Sequence, residues 1–250
     1  MGTTTFASYF AEEFKRQSGQ PVLLVDLDPS GASAAFLLRA QGEHSALEAA
    51  SNLHRLDADF WKSVVWTAPS GVDLLQAPGT LHFRDRLDGE RARHVLRFVR
   101  GLYDWVVVDL GRLDALSMPL IEETQQLFLV TTPELPSLYE SRRILQRLHE
   151  LGRAEGELRL VLNRMSGDTA FTPKDLAKAL GYPVYASFND WTSDLHDAIG
   201  SGQFVTGCPS LRKQVGEVTA RILGKEPTEP RKAKLKFLRL AKNVPAVRSA

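Results

Sequence analysis

Apolar positions along the chain alternate between two kinds of segment. Short, mainly apolar segments, too brief for helices, occur at 22–25, 71–78, 103–110, 126–131, 158–162 and 184–186; they predict strands. Between them the spacing changes to that of a helix. Phe6, Ala7, Phe10, Ala11 and Phe14 mark one face of a first helix, and further helices are expected over 32–39, within 42–52, and over 88–102, 137–151 and 211–223. In the 88–102 helix, Val95, Leu96, Phe98, Val99 and Leu102 are expected to point inward. Thr172-Pro-Lys-Asp175 reads as a capped helix start, with Gly181 as its stop. Trp61 and Trp66, in the apolar 60–66 stretch, are expected to pack in the core or at a sheet edge.

Strands alternating with helices imply an α/β fold: a doubly wound, mostly parallel sheet with helices on both faces. A chain of 250 residues, 43% of them hydrophobic, buries a sizeable core as one large domain. That domain is assigned to residues 1–224, and 225–250 to a linker and basic tail. The net charge of +1 gives no global pull toward nucleic acid or anionic membrane. A single cysteine, Cys208, rules out an intrachain disulfide and fits a cytoplasmic location. No apolar run approaches the roughly 18 residues of a membrane span.

Candidate chemistry collects at strand ends. The 22–25 run closes in Asp26-Leu-Asp28 and a Pro-Ser-Gly turn signal. The carboxyl edge of an open α/β sheet is where ligands bind, although Asp28 could simply open a turn. Asp109 closes the 103–110 run in the same way. Gly2-Thr3-Thr4-Thr5 stands at the start of the first helix, where free N–H groups and the helix dipole favour phosphate and a threonine hydroxyl can ligate magnesium. An ordinary threonine N-cap is the competing reading.

The order of these pieces resembles the deviant Walker A ATPases of the MinD/ParA superfamily, whose loop reads Lys-Gly-Gly-x-Gly-Lys-Thr-Thr and whose next strand ends in Asp-x-Asp-Pro. The resemblance covers nearly all of residues 1–224. It implies a P-loop NTPase fold, ATP and Mg2+ as cofactors, and a homodimer. Gly2, Thr3, Thr4, Thr5 and Asn163 would bind nucleotide; Thr4, Asp26 and Asp109 would serve the metal; Asp28 would position the attacking water. Gly71-Val-Asp-Leu-Leu-Gln-Ala-Pro78 and Pro133-Glu-Leu-Pro-Ser-Leu138 are similar to the CpaE/TadZ branch, which implies a protein partner in a pilus or secretion machine. Phe188-Asn-Asp190 departs from the family's Pro-Asn-Asp.

Two larger departures shape the functional expectation. Thr3 occupies the place of the phosphate-binding lysine, and the strand and lysine that precede the loop are missing, so the true start is expected upstream of Met1. Weak ATP binding is expected of an extended product and none of residues 1–250. A degenerate scaffold of the same fold, or a DNA-binding partition ATPase using the arginines at 86, 91, 93, 97 and 100, are the alternatives. The last twenty residues carry seven Lys or Arg and no acid. Residues 231–250 could form a basic amphipathic helix giving peripheral contact with the inner face of the membrane, or a soluble tail.

Overall fold

The computed structural model describes residues 2–28, 32–42, 44–78, 87–114, 116–152, 156–167 and 170–225. The expectations for the turn at 29–31, for Arg86 and for the tail beyond 225 lie outside these residues.

The chain forms a three-layer α/β fold built on two parallel sheets. Helix α1 (Thr3–Ser18) leads through a short turn into β1 (Val22–Asp26). There follow α2 (Ser33–Leu38), α3 (Ala46–Ser51), α4 (Ala58–Val64), β2 (Trp66–Thr67), β3 (Asp73–Leu75), α5 (Gly89–Val99) and β4 (Trp105–Asp109). The second half contains α6 (Ser117–Ile121), β5 (Leu127–Thr131), α7 (Leu135–Glu150), β6 (Leu158–Met165), α8 (Pro173–Leu180), β7 (Val184–Asn189), α9 (Thr192–Gly200) and α10 (Pro209–Ile222).

Four strands lie in the order β2-β3-β1-β4, and three more in the order β5-β6-β7. All pairings are parallel except that of β2 with β3. β1 is buried along its whole length because it is paired on both sides and covered on both faces. β4, equally apolar, stays half-buried from Trp105 to Val108. The difference is not in composition: among the described residues β4 is paired with β1 alone.

One face of the first sheet packs on α1, where Phe6, Phe10 and Phe14 join Val22, Leu24 and Leu74 in a core that extends to Val130, Val161 and Ala186 of the second sheet. The other face carries Leu23 and Val25 against α3, α4 and α5. α1 is therefore the element that spans both sheets. It is tied to α10 by Glu13, whose buried carboxylate accepts from Arg16, Gln17 and Arg212. Burial pushes that carboxyl up, but the hydrogen bonds from Arg16 and Arg212 more than reverse this and leave it below its ordinary value.

Most sequence expectations agree with these elements, and α8 shows the expected Thr172 capping box with Asp175. The competing threonine N-cap is not formed: Gly2 caps α1, and no side chain does. The 60–66 stretch is helix α4 and the short edge strand β2, which put Trp61 in the core and Trp66 at a sheet edge, as expected. One expectation differs. Leu102 lies beyond the end of α5 and is exposed, while Ala92 takes the inward place.

Candidate functional site

β1 and β4 end in register, with Asp26 opposite Asp109. Both carboxylates are buried, Asp26 completely. Asp26 Oδ1 accepts the Asp28 N–H at 3.0 Å and Oδ2 the Ala34 N–H at 3.1 Å, so this side chain anchors the backbone on both sides of the loop after β1. Burial pushes its pKa up to about 6, the backbone hydrogen bonds hold it back, and the charges of Asp109 and Asp28 raise it further.

Asp109 is arranged differently. Its Oδ1 accepts the Gly111 N–H at 3.0 Å, and Oδ2 is buried with no hydrogen-bond partner among the described residues. Burial raises its pKa, the neighbouring Thr4 side chain and the Gly111 N–H oppose the rise, and the Asp28 charge adds to it. An acceptor left open in a dry setting carries a desolvation cost, and a cation or its bound water would relieve it.

Asp28 sits against the turn after β4. Gly111 adopts φ 62, and a Cβ placed there would lie 2.7 Å from Asp28 Cγ. Only a residue without a side chain permits that approach. Gly111 is thus a site residue that the list of candidate carboxylates and threonines did not contain.

Gly2 also adopts a left-handed conformation, φ 87, and a Cβ there would lie 2.7 Å from Nδ2 of Asn163. Asn163 lies near the end of β6, beside Arg164, which takes φ 56 where the β6–β7 register shifts. Gly2, Thr5 and Asn163 share the lining of a small pocket of about 130 Å³ with Arg164, Trp191 and His196. Thr3 lies elsewhere, on the rim of the large cavity between β4 and β5. Phe188 is buried and meets the Phe6 ring edge-on at 4.4 Å, so the departure from proline is absorbed by packing against α1.

The predicted residues therefore converge in two groups around the N-terminus of α1. Thr4, Asp26, Asp28 and Asp109 meet at the ends of β1 and β4, and Gly2 and Thr5 meet Asn163 at the end of β6. Among the described residues no three of the His, Cys, Asp and Glu side chains chelate a metal by themselves. An orphaned carboxylate oxygen beside a threonine hydroxyl nevertheless fits magnesium, which takes one or two protein oxygens and completes its shell with phosphate and water.

The fold is shared with solved structures. A ParA family ATPase from Chlorobium tepidum TLS superposes with a TM-score of 0.80 at 23% identity, covering 87% of this chain and 93% of its own. The fold is that of the ParA/MinD ATPases. MinD in the MinC:MinD cell division complex of Aquifex aeolicus gives 0.70 at 16% identity, over 91% of this chain and 93% of that one. MinD of Pyrococcus horikoshii OT3, complexed with Mg-ADP, gives 0.66 at 17%, over 89% and 92%. No family model and no curated protein matches the sequence.

Proposed function

We propose that the chain is a ParA/MinD-type nucleotide switch of the CpaE/TadZ kind, acting as a dimer to position or assemble a pilus or secretion machine. The observation that carries the nucleotide reading is the orphaned Oδ2 of Asp109 beside Thr4, at the same sheet edge as Asp26 and Asp28. Support comes from the ParA/MinD fold, one of whose solved examples is a MinD complexed with Mg-ADP.

In this reading Thr4 and Asp109 hold magnesium, directly or through water, and Gly2 and the first-turn N–H groups of α1 face phosphate. The bound ion would neutralise charge on the phosphates. Asp28, held against Gly111, orients the attacking water, and Asp26 keeps the loop after β1 in place through its two backbone hydrogen bonds. Asn163 offers a donor and an acceptor to the base. Thr3 supplies a neutral group where a lysine would supply charge, so turnover is expected to be slow.

Dimerisation is supported by exposed apolar side chains on elements that leave the same sheet edge: Phe36 on α2, and Leu135 and Tyr139 on α7. The DNA-binding alternative is weakened because Arg93, Arg97 and Arg100 all converge on Glu123. Among the described residues no helix is long and apolar enough to cross a membrane.

Titration of Mg-ATP into residues 1–250 and into a form extended ahead of residue 1 by a strand and a glycine-rich loop tests the switch. Weak, magnesium-dependent binding by the extended form is expected. No binding by either form, with the fold intact, would leave the degenerate scaffold as the function.

A further inference from the structure

Among the described residues three non-glycine residues have a left-handed backbone, and two of them stand at the ends of α2: Ala32, φ 40, and Arg39, φ 55. Glycine adopts this backbone without cost, but a residue with a Cβ is strained by it. Such strain persists only where surrounding contacts impose it, and it gathers at parts that clamp or switch. α2 cannot impose it unaided. Its six residues are too few for a helix to hold itself in water.

Each end of α2 is held by a different part of the molecule. At the first turn the Ala34 N–H donates to Asp26 Oδ2, and the Ala32 N–H to the Asp28 carbonyl. At the other end the Arg39 guanidinium lies over Gly202, in the turn between α9 and α10. The approach is close: a Cβ built on Gly202, whose φ is 71, would stand 2.8 Å from Arg39 Cζ. Between the two ends Ala34 is fully buried, and Leu37 and Leu38 pack on the core that contains α1.

The turn that receives Arg39 is tied in its own right to the second half of the site. The Gly202 N–H donates to the Ile199 carbonyl and the Gln203 N–H to the Ala198 carbonyl, which closes the end of α9. Leu195, His196 and Ile199 of α9 line the pocket that contains Asn163. α1 joins the carboxylate group to the asparagine group through a broad apolar core. α2 adds a second link of another kind, made of one carboxylate and one guanidinium with a strained joint at each.

We propose that α2 is a clasp between the two halves of the site. With Asp26 bonded to Ala34 and Arg39 seated on Gly202 it is closed; loss of either contact removes what imposes the strain, and the other end lets go. The closed clasp steadies the backbone beside Asp26 and the α9 wall of the Asn163 pocket together. Coupling of this sort is reciprocal, so a perturbation at either end is felt at the other by the same factor. The clasp belongs to the bare protein and stands whether or not nucleotide binds.

Amide exchange on the full chain, without nucleotide or metal, tests it, with β6 amides as the measure of global stability. Arg39→Ala removes the outer contact. The Gly202 and Gln203 amides and, at the far end, the Ala34 amide are each expected to exchange about threefold or more faster. Asp26→Asn leaves one of its two N–H partners facing a donor, and should speed the Gly202 and Gln203 amides by a similar factor. Ala32→Gly relieves the strain with both contacts kept, and should slow exchange at both ends. Arg39 is exposed and Ala32 only half-buried, so those two variants decide the matter even where Asp26→Asn fails to fold. Changes confined to the end that carries the substitution would overturn the proposal.

Discussion

Replacing Gly111 by alanine tests whether the turn after β4 holds Asp28 in place. A methyl group built there stands 2.7 Å from Asp28 Cγ, 2.8 Å from its Cβ and 3.0 Å from Oδ1, on a backbone with φ 62. Two costs follow. Left-handed backbone costs a residue with a Cβ about 1–2 kcal/mol. The contact adds to it, because Cβ and Cγ are the root of a short side chain and cannot swing aside; overpacking of this kind costs roughly 1–3 kcal/mol. Gly19 separates the two contributions. Its φ is 72, and a methyl there meets nothing within 4 Å. Gly19→Ala therefore carries the backbone cost alone. Urea unfolding should show Gly111→Ala losing about 1–2 kcal/mol more than Gly19→Ala, and each additional kcal/mol should lower the thermal midpoint by about 2–4 °C. Equal losses in the two variants would refute the close approach of Gly111 to Asp28 and remove the argument that this turn positions the side chain.

Three other outcomes are expected. Glu13→Gln should cost roughly 2–4 kcal/mol, since it removes the charge that pairs two arginines, which can still reach water, and turns one of its two acceptor oxygens into a donor facing them. Because the Glu13 carboxyl lies below its ordinary value of 4.5, its contribution is complete above that value and lost as the pH falls below it; urea midpoints across pH 3–7 should converge for the two proteins at the acid end. Asp109→Asn should leave the protein no less stable at pH 7, because the buried carboxyl has a raised pKa and an open oxygen, while Mg-ATP affinity of the extended form falls at least about tenfold; a clear loss of stability would show that the carboxylate is satisfied in some other way. Deleting residues 231–250 should abolish sedimentation with anionic liposomes if the tail contacts membrane, and unchanged sedimentation would end that reading.

The elements easiest to read from sequence were those with local causes. β1 and β4 are apolar runs closed by a carboxylate, and α8 begins with a cap, a proline and a reciprocating Asp175. At the first turn of α1 three threonines left a capping side chain as an open alternative, and only the tight approach of Asn163 shows why glycine stands at the cap. Short elements such as β2 and α6 carry too few residues to set a period. The arginine face of α5 shows the limit most clearly. Helical spacing places Arg93, Arg97 and Arg100 on one side, but their partner Glu123 lies beyond an intervening strand and helix, and no pattern in α5 announces it. The same holds at the site. Asp26, Asp28 and Asp109 could be picked out as strand-end acids, yet the pairing of Asp26 with Asp109 is a matter of register, and Gly111 gains its meaning only from the side chain it lets in.

The division of the sheet assigns the two halves of the site to separate platforms. Asp26, Asp28 and Asp109 stand on the first sheet, Asn163 on the second, and α1 is the splint laid across both. The span from the carboxylates to the asparagine is therefore governed by one helix and its phenylalanines, not by a continuous ladder. Whatever shifts α1 against either sheet shifts the carboxylates relative to the asparagine.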